Sequence, residues 1–275
     1  MLERTFDTPS GTIVYWVNEL LAEGNAAVTG LTLVFLPGLT ADHRLFDAQV
    51  AHFESRFPVM TWDAPGHAES RPFTLDFDLP QKARWLHEIL AREGVAHPVS
   101  VGQSMGGYVG QMFTQLFPGE LAGFVSIDSA PLQREYVSGW EIWLLARMAP
   151  VYKHYPRSWL LSQGSNGVSA TAEGKAQMRS FIETYPQDEY AALAGHGYKM
   201  LADAMAADLP YAFTCPVQLI CGERDKAAST KRYNKAWTAK TGYPMAWIPG
   251  AGHNSCVDKP DEINAVIEEF ANSLH

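Results

Sequence analysis

The chain has 275 residues, of which 47% are hydrophobic and 19% charged, and its net charge is −9. That length admits two small domains or one large α/β domain with a sizeable core. The acidic balance excludes nucleic acid as a natural partner, since phosphates would be repelled, and disfavours anionic membrane surfaces.

In chain order, the N-terminal MLERTFDTPSGTIVYW lacks a basic region followed by an apolar core, so no secretory leader is expected. GTIVYWV and LTLVFL, rich in β-branched and aromatic residues, predict strands, and FPVMTWD predicts another that ends at Asp63. Residues 79–93 carry Leu86, Ile89 and Leu90 at helical spacing. PVSVGQ is a further strand, followed by a helix marked by Val109, Met112, Phe113 and Leu116. The stretch from Pro98 to Gly119 is uncharged, but glycines, glutamines and a proline interrupt it, so no membrane span is expected. LAGFVSID is the next strand. Apolar strands separated by helices indicate a mostly parallel sheet covered on both faces by helices.

The alternation then stops. Residues 131–210 hold few strand signals and many aromatics, including Trp140, Trp143, Tyr152, Tyr155 and Trp159. They predict short helices, with SQGSNGVSATAEG as a loop among them. Alternation resumes with VQLICG as a strand, 229–240 as a helix, YPMAWIPG as a strand and 261–273 as a helix buried through Ile263, Val266, Ile267 and Phe270. The chain therefore divides into a sheet-forming core, 1–130 and 211–275, and a helical insertion, 131–210. Cys215, Cys221 and Cys256 lack the paired spacings of a disulfide framework or a zinc site. They are expected to be reduced thiols, which suggests a cytoplasmic protein.

The chemistry centres on Gly102-Gln103-Ser104-Met105-Gly106, a G-x-S-x-G at a strand-to-helix junction. Such a serine sits on a sharp, strained turn, and a side chain at either glycine would crowd it. The turn lifts the hydroxyl above the sheet and aims the first helical amides, from Met105 onward, at any oxyanion formed there. The sequence is neither a dinucleotide loop nor a phosphate-binding loop. A hydroxyl needs a base to become a nucleophile, and the base needs an orienting acid. His253, in a loop after the last strand, is the favoured base, with His67 and His43 as alternatives. Asp225, just past a strand end, is the favoured acid, with Asp128 and Glu223 behind it.

Five stretches resemble the α/β-hydrolase superfamily across nearly the whole chain. GQSMGG matches its nucleophile elbow. LPGLT resembles its His-Gly-x loop, with Pro37 in place of histidine. DAPGHAES is similar to its D-x-P-G-H-G-x-S stretch, with Ala68 where glycine is usual. GERD and GAGH match its acid and histidine loops. The resemblance implies Ser104 as nucleophile, His253 as base and Asp225 as acid, with the Leu39 and Met105 amides as the oxyanion hole. It implies that 131–210 is a helical cap, with Trp140 and Trp143 as candidate substrate contacts. The implied reaction is acyl transfer on a small-molecule substrate with an ester-like carbonyl, with no metal or organic cofactor. Thioesterase, lactonase, amidase, C–C hydrolase and cofactor-free perhydrolase chemistry use the same constellation, and a non-turnover ligand receptor could keep it.

Overall fold

The computed structural model describes residues 1–24 and 30–274. Its strands are β1 (Leu2–Thr8), β2 (Gly11–Val17), β3 (Thr32–Leu36), β4 (Val59–Trp62), β5 (Pro98–Gln103), β6 (Gly123–Ile127), β7 (Val217–Gly222) and β8 (Met245–Ile248). Helices α1 (Glu19–Ala22), α2 (Asp47–Phe53), α3 (Leu79–Arg92) and α4 (Met105–Leu116) lie among the first six strands. Helices α5 (Gly139–Leu145), α6 (Ala149–His154), α7 (Arg157–Asn166), α8 (Ala172–Glu183) and α9 (Gln187–Ala206) come between β6 and β7. The chain closes with α10 (Thr230–Thr241), α11 (Ser255–Asp258) and α12 (Pro260–Asn272).

The strands form one sheet in the order β1-β2-β4-β3-β5-β6-β7-β8. The β1·β2 and β2·β4 pairs are antiparallel and the remaining pairs parallel. Because strand side chains alternate in direction, Val34 and Leu36 enter the core beneath α3 and α4, while Leu33 and Phe35 enter the core beneath α2 and α12. Both faces are thus dry, which is why these strands read as continuous apolar runs. The helix starts are equally local. Asp78 caps α3 by accepting from the Gln81 amide at 2.7 Å, and α12 opens with Pro260.

The sequence pattern misses β1, a mostly exposed edge strand whose LERTFDT carries no apolar run. It also assigns too much loop to 162–174. The structure continues α7 to Asn166 and starts α8 at Ala172. Leu160, Leu161, Ile182, Tyr185 and Tyr190 form a separate small core within the insertion, and Gly164 lets α7 approach Ile182 closely. That packing overrides the loop-like composition. Among the described residues, no helix is long and apolar enough to cross a membrane.

Candidate active site

β5 ends at Gln103 and α4 begins at Met105, so the reversal of direction falls on Ser104, with φ 49° and ψ −115°. A non-glycine residue there costs about 1–2 kcal/mol. The surroundings hold it in place: the Ser104 amide donates to the Ile127 carbonyl at 2.9 Å, and the Gly107 amide donates to the Ser104 carbonyl at 2.9 Å. A Cβ on Gly102 would fall on the backbone of Gly106 and Gly107, and one on Gly106 would fall on the Leu36 carbonyl. The two glycines are therefore what allow α4 to start directly over the end of β5.

Two loops at the same sheet edge meet the serine. His253 follows β8 and Asp225 follows β7. Ser104 Oγ lies 2.9 Å from His253 Nε2, and His253 Nδ1 lies 2.9 Å from Asp225 Oδ2. The other Asp225 oxygen accepts from the Ala227 amide at 2.7 Å, which fixes the carboxylate plane. A carboxylate on Nδ1 holds the proton there and leaves the Nε2 lone pair facing the hydroxyl. Burial pushes the His253 pKa down, but the charge and hydrogen bond of Asp225, helped by the charge of Asp128, leave it raised above the usual 6.5.

The alternatives considered from sequence separate cleanly. His67 is buried, its Nδ1 donates to the Ala64 and Pro65 carbonyls, and burial with the nearby Lys82 charge lowers its pKa to about 3. His43 Nδ1 pairs with Asp63 at 2.9 Å rather than with Ser104, and its ring lies 3.8 Å from that of Trp16. Glu223 is exposed. Asp128 does not touch the imidazole. It accepts from the Gly222 amide at 2.7 Å and the Ser255 amide at 3.0 Å, so it joins the ends of β6 and β7 to the turn after His253. Burial raises its carboxyl well above the ordinary range; His253 opposes that shift and the Asp225 charge adds to it.

Of the two amides expected to face an oxyanion, that of Met105 belongs to the first residue of α4 and so has no intrahelical acceptor. Among the described residues the Leu39 amide donates to no protein acceptor either. Gly38 lets this loop pass close over the elbow, since a Cβ there would meet Gln103 and, at 3.2 Å, the Ser104 side chain.

A cavity of about 230 Å³ opens over Ser104 and His253, walled by Leu39, Met178, Tyr190 and Tyr198 among others, with Trp159 at its rim. A larger cleft of about 660 Å³, near Asp76, Trp85 and Asp203, contains neither Ser104 nor His253, so the chemistry assigns the smaller one. Trp140 and Trp143 do not line the cavity over Ser104. They stack on each other 4.6 Å apart and are 65% and 44% exposed, so the expectation that they touch substrate is corrected. The α5 turn presents them to solvent and buries Ile142 instead.

Several supporting residues carried no sequence signal. Gln103 Nε2 donates to the His253 carbonyl at 2.8 Å. Buried Asp258 accepts from the Gly252 amide at 2.7 Å and from the Ala170 and Thr171 amides at 2.8 and 3.0 Å, tying the histidine loop to the insertion. The Gln103–His253 contact and those of Asp258 with Ala170 and Thr171 join residues about 90 to 150 positions apart, which no local pattern encodes.

Residues 33–266 match the model of the Alpha/beta hydrolase family. The chain belongs to the α/β hydrolase family. Its sequence is 24% identical over 259 residues to the "Putative carbamate hydrolase RutD" of Escherichia coli, an alignment spanning 88% of this chain and 92% of that one. The fold superposes on an esterase from Thermogutta terrifontis with a TM-score of 0.78 at 21% identity, covering 100% of both chains. It also superposes on an enol-lactonase from Burkholderia xenovorans LB400 with a TM-score of 0.75 at 19% identity, covering 98% of this chain and 100% of that one. At such identities the structural likenesses establish the α/β hydrolase fold, and the chain is a hydrolase by family.

Proposed function

We propose that this α/β hydrolase cleaves a small carboxylic ester through a covalent acyl-enzyme on Ser104. The observation that carries the reading is the continuous hydrogen-bonded line Ser104–His253–Asp225. Ser104 Oγ attacks the carbonyl carbon as its proton passes to His253 Nε2, and Asp225 stabilises the imidazolium that forms. The Leu39 and Met105 amides hold the oxyanion. The tetrahedral adduct collapses, the C–O bond to the alcohol breaks, and His253 returns its proton to the departing oxygen. Water then attacks the acyl carbon with His253 as base, which frees the acid and restores the serine.

The insertion 131–210 acts as a cap that closes the cavity. At about 230 Å³ the cavity is below the roughly 300–1,000 Å³ of sites for drug-sized ligands, which supports a small substrate. Three free thiols, two of them buried, suit a reducing cytoplasm. Lactone, thioester and carbamate carbonyls would form the same kind of adduct, and the named activities of the lactonase and carbamate hydrolase relatives put both in the substrate panel. The test is labelling by a fluorophosphonate together with turnover of p-nitrophenyl esters. Labelling and turnover are expected in the wild-type protein and neither in Ser104→Ala, whose turnover falls by roughly 10³-fold or more. A Ser104→Ala protein with wild-type turnover overturns the assignment, and labelling without turnover on any substrate points to a ligand receptor.

A further inference from the structure

We infer that Tyr198 is a specificity residue whose hydroxyl donates a hydrogen bond to a neutral acceptor on the part of the substrate held in the Ser104 cavity. The inference rests on the serine-hydrolase reading above. Tyr198 projects from α9 into the wall of that cavity. Its ring stacks on Tyr152 of α6, with centroids 5.6 Å apart and planes 10° apart. The Tyr152 hydroxyl donates to the Tyr198 oxygen at 3.2 Å. That bond uses the Tyr152 proton and one Tyr198 lone pair, and it directs the remaining Tyr198 O–H elsewhere. Among the described residues no acceptor takes that proton.

The other polar groups of the wall sharpen the chemistry. The Tyr190 hydroxyl is bonded to Thr40, and Gln103 is committed to the His253 carbonyl. Asn254 Nδ2 is buried without a partner. Apart from exposed Gln163, whose side-chain amide offers both a donor and an acceptor, the spare polar capacity of the cavity is of donor type, from a hydroxyl and an amide. Among the described residues no Lys, Arg, Asp or Glu lines it. A carboxylate would enter without a counter-charge, at a high desolvation cost. An ether, hydroxyl or carbonyl oxygen meets the donors at no such cost, whereas an all-alkyl group leaves the Tyr198 O–H dehydrated and unpaired.

The experiment compares isosteric substrates. p-Nitrophenyl methoxyacetate and p-nitrophenyl butyrate differ by an oxygen for a methylene in the acyl chain; 2-methoxyethyl acetate and butyl acetate do the same for the alcohol. Intrinsic reactivity cancels when each variant is compared with wild type on the same substrate. Tyr198→Phe is expected to lower kcat/KM for the oxygen-bearing member of at least one pair by about tenfold relative to its alkyl partner. Tyr152→Phe, which keeps the Tyr198 hydroxyl but removes its orienting bond, should shift the same ratio in the same direction by less. Equal losses on both members of both pairs, or a ratio unmoved in both variants, overturn the inference. Ser104→Ala runs alongside: if it retains turnover, the serine reading and this inference fall together. If it is inactive and the Tyr198→Phe ratios are unchanged, the inference alone falls.

Discussion

Replacing Asp225 with asparagine removes one charge and almost no volume. In the wild-type protein the carboxylate oxygen lies 2.9 Å from His253 Nδ1, with the Asp225 side chain buried and that of His253 12% exposed. With charge centres about 4 Å apart and an effective dielectric of about 20, their attraction is roughly 4 kcal/mol. In the proposed mechanism that attraction exists only after His253 has taken the serine proton, so it acts on the transition state rather than on the resting enzyme. Losing most of it slows the reaction by roughly 10³-fold. The pH profile gives a second readout. His253 must be neutral to accept the proton, and its pKa is raised by Asp225 against the opposing effect of burial. The acid limb of kcat/KM in the wild type should therefore lie above 6.5, with activity lost as pH falls through it. In Asp225→Asn burial is opposed only by the Asp128 charge, and the limb should move to lower pH. The assay is kcat/KM on p-nitrophenyl butyrate from pH 5 to 9, with thermal melts to confirm folding. Asp128→Asn, which leaves the imidazole contact intact, should lose less than about tenfold. An Asp225→Asn enzyme within tenfold of wild type, or an acid limb that does not move, refutes the reasoning.

Gly106→Ala places a methyl on the Leu36 carbonyl and should cost roughly 3 kcal/mol or more in urea unfolding; an unchanged midpoint would show that β3 and α4 are less closely opposed. Ala68 has φ 34°, so Ala68→Gly relieves about 1–2 kcal/mol of strain, less the extra ~0.5–1 kcal/mol of glycine backbone entropy. The net gain of about 0.5–1 kcal/mol should raise Tm by a few degrees, and a fall would count against it. Lys82 is buried, and burial lowers its pKa from 10.5 to about 7. Between those values the unfolded chain holds a proton that the folded one has released, so this group makes stability rise with pH from about 7 to 10.5. Lys82→Met should therefore raise stability at pH 7 by roughly 2 kcal/mol or more and flatten the dependence above it, measured by urea unfolding at pH 7 and 9.5. A variant less stable at pH 7 would mean that the ammonium is better solvated than its burial implies.

Much of the site was legible because its signals are local. Gly102 and Gly106 flank Ser104 within one turn of chain, and the steric reason for both acts between neighbours and the adjacent strand. Helix α3 is marked by Leu86, Ile89 and Leu90 at helical spacing, and the buried strands by unbroken apolar runs between turn residues. Loop positions after β7 and β8 placed Asp225 and His253 at the correct edge of a parallel sheet. Failures occurred where composition contradicted packing. β1 is polar and exposed, and it is a strand because β2 offers it a hydrogen-bonding edge. Residues 162–166 read as loop and are helical because Leu160, Leu161 and Ile182 exclude water around them.

The sequence by itself determined the class of sheet, the strained serine between a strand and a helix, and the set of histidines and carboxylates able to serve it. These properties depend on residues within a few positions of one another, where backbone sterics, hydrophobic period and turn chemistry act. Only the tertiary structure separated Asp225, in contact with His253 Nδ1, from Asp128, which joins the ends of β6 and β7 to the turn after His253. It also turned Trp140 and Trp143 outward and brought Tyr152 and Tyr198, 46 residues apart, together at the cavity wall. Those outcomes depend on how loops and helices distant in the chain pack over one sheet edge. A hydrogen bond across that edge is decided by distances of a few tenths of an ångström, which local sequence does not constrain.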